Sequence, residues 1–128
     1  LNKFSLSVQP FRLAVCRLDS MSPIPSEALK TAFWSLTRTG SELSVVTEEE
    51  GAPQNWPSEK GWRCLRVDGP LEFDVIGVIS SISSVLADAQ IPIFVISTYD
   101  TDYILIHQKH LEKGITALQK AGHIVLST

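Results

Sequence analysis

"IFVISTYDTDYILIH" (residues 93–107) decides the fold. Two short apolar runs flank Thr98, Tyr99, Asp100, Thr101 and Asp102. Short apolar runs bounded by Thr and Asp, which form turns through their side chains, predict two strands joined as a hairpin. The first strand, over residues 93–98, is apolar at successive positions and is expected to be central or covered on both faces. The second is expected over residues 103–107.

The pattern extends outward in both directions. Residues 62–67 read as a strand and "DGP" (residues 68–70) as a turn. Residues 73–89 read as a helix, with Val75, Ile76, Val78, Ile79, Ile82, Val85 and Leu86 apolar. Residues 109–121 form an amphipathic pattern with Leu111, Ile115 and Leu118 as its stripe, and Gly122 is placed to stop it. Residues 124–126 read as a last strand. The order β-α-β-β-α-β is the split βαβ arrangement of a ferredoxin-like sandwich. The predicted class is α+β, with antiparallel sheets and helices packed on one face.

The first half carries a worn copy of the same unit. Slid by 60 positions, "FWSLTRTGSELSVVT" (residues 33–47) lies over residues 93–107, apolar on apolar at Phe33/Ile93, Leu36/Ile96 and Val45/Leu105. Glu42 then matches Asp102. Slid by 49, "CRLD" (residues 16–19) lies over "LRVD" (residues 65–68). Internal repetition outranks local readings. Two units are therefore expected, at 1–60 and 61–128, separated near the Gly- and Pro-containing stretch "EEEGAPQNWPSEKG" (residues 48–61). The first unit's opening helix, near residues 26–31, should be stunted. "KFSLSV" (residues 3–8) should supply a strand that completes a sheet.

Composition bounds the function. The chain has 128 residues, 44% apolar and 20% charged, with a net charge of -3. These values are ordinary for a globular domain, and no basic stripe marks a nucleic-acid footprint. No apolar run has the length to span a membrane, so a cytoplasmic protein is expected. Cys16 and Cys64 each sit alone in apolar runs and read as reduced core thiols; a disulfide would need neighbouring strands of matched geometry.

"GWRCLRVDGPLEF" (residues 61–73), followed by the helix and then residues 93–106, resembles the tandem ACT-domain proteins. This aspartate-kinase-type regulatory family is related to the cytosolic arginine sensor of animals. "LAVCRLD" (residues 13–19) and "FWSLTRTGSELSVV" (residues 33–46) look like the first ACT unit of the same group. The resemblance implies a regulatory, non-enzymatic module with an amino acid held at an ACT–ACT interface. It implies no reaction and no cofactor. In the arginine sensor the equivalent hairpin also has a Thr, an aromatic residue and a later Asp, where Thr98, Tyr99 and Asp102 stand here. Gly77 matches a small residue of the first helix. The sensor has an acidic side chain near the helix start where Val75 stands, which argues against arginine itself.

The residues give a physical reason for such a ligand. In a split βαβ unit the second strand ends at the edge where the first helix begins. "TYDTD" should then sit near "DGPLEFD" (residues 68–74). Free N–H groups around Phe73, Asp74 and Val75, beside Gly69 and Gly77, would suit a carboxylate. Asp100 and Asp102 would suit an ammonium or guanidinium. Thr and Asp also serve plain turns, and that reading stands beside the first.

The first helix offers a second clue. Gly77, Ser81, Ser84 and Asp88 lie opposite its apolar stripe, and residues 75–87 contain no Lys, Arg or Glu. A small-residue face permits close approach of another ACT unit, in the same chain or in a second chain; that face and the two-unit length predict a homodimer, with a regulatory partner protein as a further class of partner. His107 and His110 lack a third ligand for zinc, and Asp100 with Asp102 lacks a nucleophile or base for catalysis. No metal is expected. Two function classes remain: an amino-acid-binding regulatory module, or a ligand-free ACT scaffold for oligomerisation or partner binding.

Overall fold

A computed structural model of the chain describes residues 3–69 and 76–127. Among the described residues seven strands run in the order β1 (Ser5–Leu18), β2 (Trp34–Arg38), β3 (Leu43–Glu48), β4 (Ser58–Val67), β5 (Ile93–Ser97), β6 (Asp102–His107) and β7 (Ile124–Leu126). Two α-helices among the described residues, α1 (Val78–Asp88) and α2 (Leu111–Lys120), lie after β4 and β6. By contacts the chain falls into two compact units. One comprises Leu1–Pro10 and Arg63–Thr128, the other Phe11–Trp62. The first ten residues thus group with the later unit, which contains both α-helices.

In the later unit the strand order is β7-β1-β4-β6-β5. β6 lies between β4 and β5, as the split βαβ reading requires. The N-terminal part of β1 intervenes between β4 and β7, pairing parallel with β7 from Ser5↔Ile124 to Ser7↔Leu126. "KFSLSV" does supply a sheet strand, and it makes this one pairing parallel. β5 and β6 pair antiparallel from Ile93↔Ile106 to Ser97↔Asp102. β5 was expected to be central or covered; it stands last in the order, and its side chains are only half-buried. An apolar edge strand reads in sequence like a covered one.

The core of this unit joins sheet and helices. Leu6, Leu65, Val67, Ile104 and Ile106 from the strands meet Val78, Ile82 and Leu86 of α1 and Leu118 of α2. Fully burying each such side chain contributes roughly 1.5–3 kcal/mol. α1 was expected from Phe73; among the described residues it begins at Val78, with Gly77 at φ 85 as its N-terminal flank. That left-handed backbone ends the helical run, although Ile76 continues the apolar spacing. Both helices close in the same way. After α2, Gly122 (φ 98) donates to the Gln119 carbonyl and His123 N–H to that of Leu118. After α1, Gln90 (φ 63) donates to Ala87 and Ile91 to Leu86. These are paired Schellman closures, one with the favoured glycine and one without.

In the Phe11–Trp62 unit, β3 lies between β2 and β1. β1 pairs antiparallel with β3 from Leu13↔Glu48 to Leu18↔Leu43. Where the later unit has α1, this one has a single 3-10 turn, Ser26–Lys30, the stunted helix that the short spacing requires. Its core is small: Ala14, Cys16, Ala28, Leu43, Val45 and Ala52. Thr47, fully buried, donates to the Ala28 carbonyl at 2.8 Å and lies 2.9 Å from the Thr31 hydroxyl.

Cys16 and Cys64 are both buried and free. Burial pushes the Cys64 thiol up to about 12, and it raises Cys16 against the opposing charge of Lys60. Both are inert core thiols.

Candidate functional site

The β5–β6 turn is a tight, four-residue connection. Thr98 N–H donates to the Thr101 carbonyl at 2.8 Å, and the Thr98 hydroxyl accepts from Thr101 N–H at 3.3 Å. Thr101, only 3% exposed, turns its hydroxyl inward and donates to the Val67 carbonyl at 2.6 Å. That bond fixes the turn to the end of β4. Gly69 follows two residues later and is exposed. The turn and the β4 end therefore meet; of the segment expected beside the turn (residues 68–74), residues 70–74 lie outside the described residues.

The candidate side chains divide at this edge. Tyr99 is 80% exposed, and Thr98 and Asp100 are exposed beside it. Asp102 is the first residue of β6, directly opposite Ser97, whose hydroxyl donates to its Oδ1 at 2.5 Å. Part of the Asp102 carboxylate is thus committed to closing the hairpin. Phe73, Asp74 and Val75 lie outside the described residues. Since α1 begins at Val78, its unbonded first-turn N–H groups are those of Val78, Ile79 and Ser80, five residues later than expected.

Gly77 lies elsewhere on the same unit, in a cleft of about 560 Å³ lined by Lys3, Ile76, Gly77, Ser80, Ser81, Ser84, Val85, Ala121 and His123. The face that the sequence marks as poor in charge, Gly77, Ser81 and Ser84, forms one wall. Ile76, 84% exposed, forms its rim. Lys3 donates to the Ala121 carbonyl at 2.5 Å, at the C-terminal end of α2. His123 is 4% exposed and stacks on Phe4 at 6.0 Å. Its Nδ1 accepts from Phe4 N–H at 3.0 Å, so the ring proton of the neutral imidazole sits on Nε2. Burial, helped by the Lys3 charge, lowers the His123 pKa from its ordinary value.

Hydrogen bonds join turn and cleft within this unit. Thr101 holds Val67; Asp68 N–H donates to Ser5, and the Asp68 carboxylate accepts from the Ser7 hydroxyl at 2.8 Å. Phe4, the residue just before β1, donates its N–H to His123. Sequence reading singled out neither Thr101 as an anchor nor Lys3 as a cleft residue. A threonine in a polar turn and a lysine near a terminus carry no spacing signal. The His107/His110 pair has a local role: His107 Nδ1 accepts from Lys109 N–H at 3.2 Å and caps the 3-10 turn Gln108–His110. Among the described residues no group of three or more His, Cys, Asp or Glu could hold a metal ion. No described helix is long and apolar enough to cross a membrane.

A family model of the ACT domain matches residues 57–120, half of the chain. The chain belongs to the ACT-domain family. A second family model, of an N-terminal domain, matches residues 12–55 of this ACT-domain protein. The human cytosolic arginine sensor for mTORC1 subunit 1 is 30% identical over 110 residues, covering 79% of this chain and 32% of the sensor. The ACT-domain chain thus spans about a third of the length of the arginine sensors it matches. A crystal structure of an Agobacterium tumefaciens protein superposes with a TM-score of 0.94 at 35% identity, covering 100% of this chain and 96% of that one. Clostridium acetobutylicum aspartate kinase shares the fold, with a TM-score of 0.68 at 11% identity over 91% of this chain and 34% of the kinase.

Proposed function

We propose that this ACT-domain chain is a ligand-sensing regulatory module that binds an amino acid at an interface between ACT units. In this reading residues 1–60 and 61–128 are tandem ferredoxin-like units, and two copies form a homodimer. The observation that carries the site is the Thr101–Val67 bond, which holds an exposed Tyr99 and Asp100 at one fixed edge of the sheet. Asp100 and the uncommitted oxygen of Asp102 would receive the ligand's ammonium or cationic side chain. Thr98 and Tyr99 would frame it. Gly69 and the segment Phe73, Asp74 and Val75 would line the carboxylate side, while Gly77, on the α1 cleft, is not part of this site. The arginine sensor's name supports the ligand class.

A thermal-shift screen with the twenty amino acids tests the reading. A specific ligand at 100 times its dissociation constant adds about 2.7 kcal/mol of stability. A flat screen would instead favour a ligand-free scaffold for oligomerisation or a regulatory partner protein. The exposed Ile76 on the Gly77/Ser81/Ser84 face supports that second reading. Light scattering at micromolar concentration should give twice the chain mass in either case.

A further inference from the structure

We infer that His123 is an acid-sensitive latch: neutral, it holds the chain's first described residues against the connection between α2 and β7; protonated, it releases them and loosens the β4 end beside the β5–β6 turn. The bearing on amino-acid binding rests on the reading of that turn proposed above; the latch itself does not. The geometry makes the charge on the ring decisive. Phe4 N–H donates to Nδ1 at 3.0 Å, so Nδ1 must carry a lone pair. An imidazolium has a proton on both ring nitrogens, and Nδ1–H would then face Phe4 N–H, donor against donor. Turning the ring over restores no acceptor. The ring also has little room to withdraw: it is 4% exposed and stacks on the Phe4 ring with 13° between the planes.

No described group beside the ring welcomes the second proton. Lys3, from the residues before β1, repels it. α1 offers only uncharged residues to the cleft, Ser80, Ser81 and Ser84 among them, and the α2 end offers Ala121. The α2 charges Glu112, Lys113 and Lys120 line a different groove. The Asp68 carboxylate is engaged by Ser7 and Arg66. Burial acts in the same direction as Lys3, so the hold is complete above pH 6.5 and is lost as pH falls through the lowered pKa of the folded chain. What is held is short. Lys3 donates to the Ala121 carbonyl, and the Phe4 carbonyl accepts from Ile124 N–H at 3.0 Å. Leu6 is fully buried in the core, so release stops at Ser5. The Ser5 carbonyl accepts from Asp68 N–H at 2.8 Å, and Asp68 follows Val67, the anchor of Thr101. A displaced Ser5 thus frees the Asp68 backbone. Ser7 keeps its bond to the Asp68 carboxylate, which makes the effect at the turn a loosening and not a release.

The test is nuclear magnetic resonance of the full chain between pH 7 and pH 5, without added ligand, in wild type, His123→Gln and Lys3→Met. Backbone order parameters of Phe4 and Ser5 should fall from about 0.85 to below about 0.6, at the pH where the His123 ring titrates. The Asp68 and Thr101 amide signals should move at that same midpoint. Glutamine supplies an uncharged acceptor, so His123→Gln should keep the strand rigid throughout. Lys3→Met removes the repelling charge and should raise the midpoint. Order parameters that stay high while His123 titrates, or an equal fall in His123→Gln, would overturn the latch. Movement at Phe4 and Ser5 with Asp68 and Thr101 unchanged would overturn its link to the turn. No amino acid is added, so the outcome is independent of whether the turn binds one.

Discussion

The two hairpins, β2–β3 and β5–β6, are built on one plan and anchored at opposite ends. Their pairing registers coincide when the chain is slid by 59 positions: Trp34↔Thr47 answers Ile93↔Ile106, and Arg38↔Leu43 answers Ser97↔Asp102. Each loop opens on a threonine whose backbone N–H donates to the fourth loop residue, Thr39 to Glu42 and Thr98 to Thr101. Each threonine hydroxyl accepts from the backbone N–H of that same fourth residue. The difference lies in what that residue does next. Glu42 makes no inward anchor, and the first hairpin is instead pinned at its open end, where Thr47 reaches Ala28. Thr101 pins the second hairpin at its turn. A turn held to the sheet keeps its backbone in a fixed position, which a binding edge requires.

The largest expected effect breaks this contrast directly. Thr101→Val keeps the volume and deletes the donor to Val67, which should cost about 1–3 kcal/mol. Glu42→Ala, at the matching position, should stay within about 0.5 kcal/mol. Urea midpoints with unchanged slopes would check both, and equal costs would erase the distinction between the turns.

The shared part of the plan gives a smaller effect. Thr98→Ala and Thr39→Ala each remove one hydroxyl that braces a four-residue loop. Each should lose about 0.5–1.5 kcal/mol, and the two losses should agree within about 0.5 kcal/mol. A large inequality in chemical denaturation would show that the loops only look alike.

The smallest effect is local and belongs to one unit. His123 is held neutral in the folded state, its pKa lowered from 6.5 first by burial and then by Lys3. The unfolded chain therefore takes up the proton more readily, and the stabilisation present above pH 6.5 is lost as pH falls below it. A proton on Nδ1 would also displace the Phe4 N–H donor. Amide exchange protection at Phe4 and Ile124 should drop between pH 7 and pH 5, while β2–β3 amides keep theirs. Uniform change across both hairpins would contradict this.

Much of the fold was legible because strands and helices announce themselves by period. The strands 93–97, 102–107 and 124–126, and the helix ended by Gly122, follow the apolar pattern closely. The repeat offset did not. Sequence matching favoured 60, which sets Leu43 against Tyr103 and Glu42 against Asp102, whereas the registers give 59 and set Leu43 against Asp102. Residues 45–47 and 104–106 are buried consecutively, so the runs have no alternation to fix parity. One position of slip moves every side chain to the other face. Asp102 therefore stands where the first hairpin has a fully buried leucine. The turn was legible as a polar hairpin end; the helix start expected beside it, at residues 73–75, lies outside the described residues. The turn's anchor, Thr101, and the His123 cleft depend on contacts between distant segments, which periodicity does not encode.

Isothermal calorimetry tests the central claim most directly. The best ligand from the amino-acid screen would be titrated into wild type, Asp102→Asn and Glu42→Gln. Asp102→Asn keeps the shape of the hairpin end and removes its charge. A charged hydrogen bond is worth about 1.5–3 kcal/mol, so its affinity should fall roughly 10- to 150-fold. Glu42→Gln, the acidic residue at the other hairpin, should bind as wild type does. Equal affinities for wild type and Asp102→Asn would contradict the account and leave Asp102 as the partner of Ser97 alone.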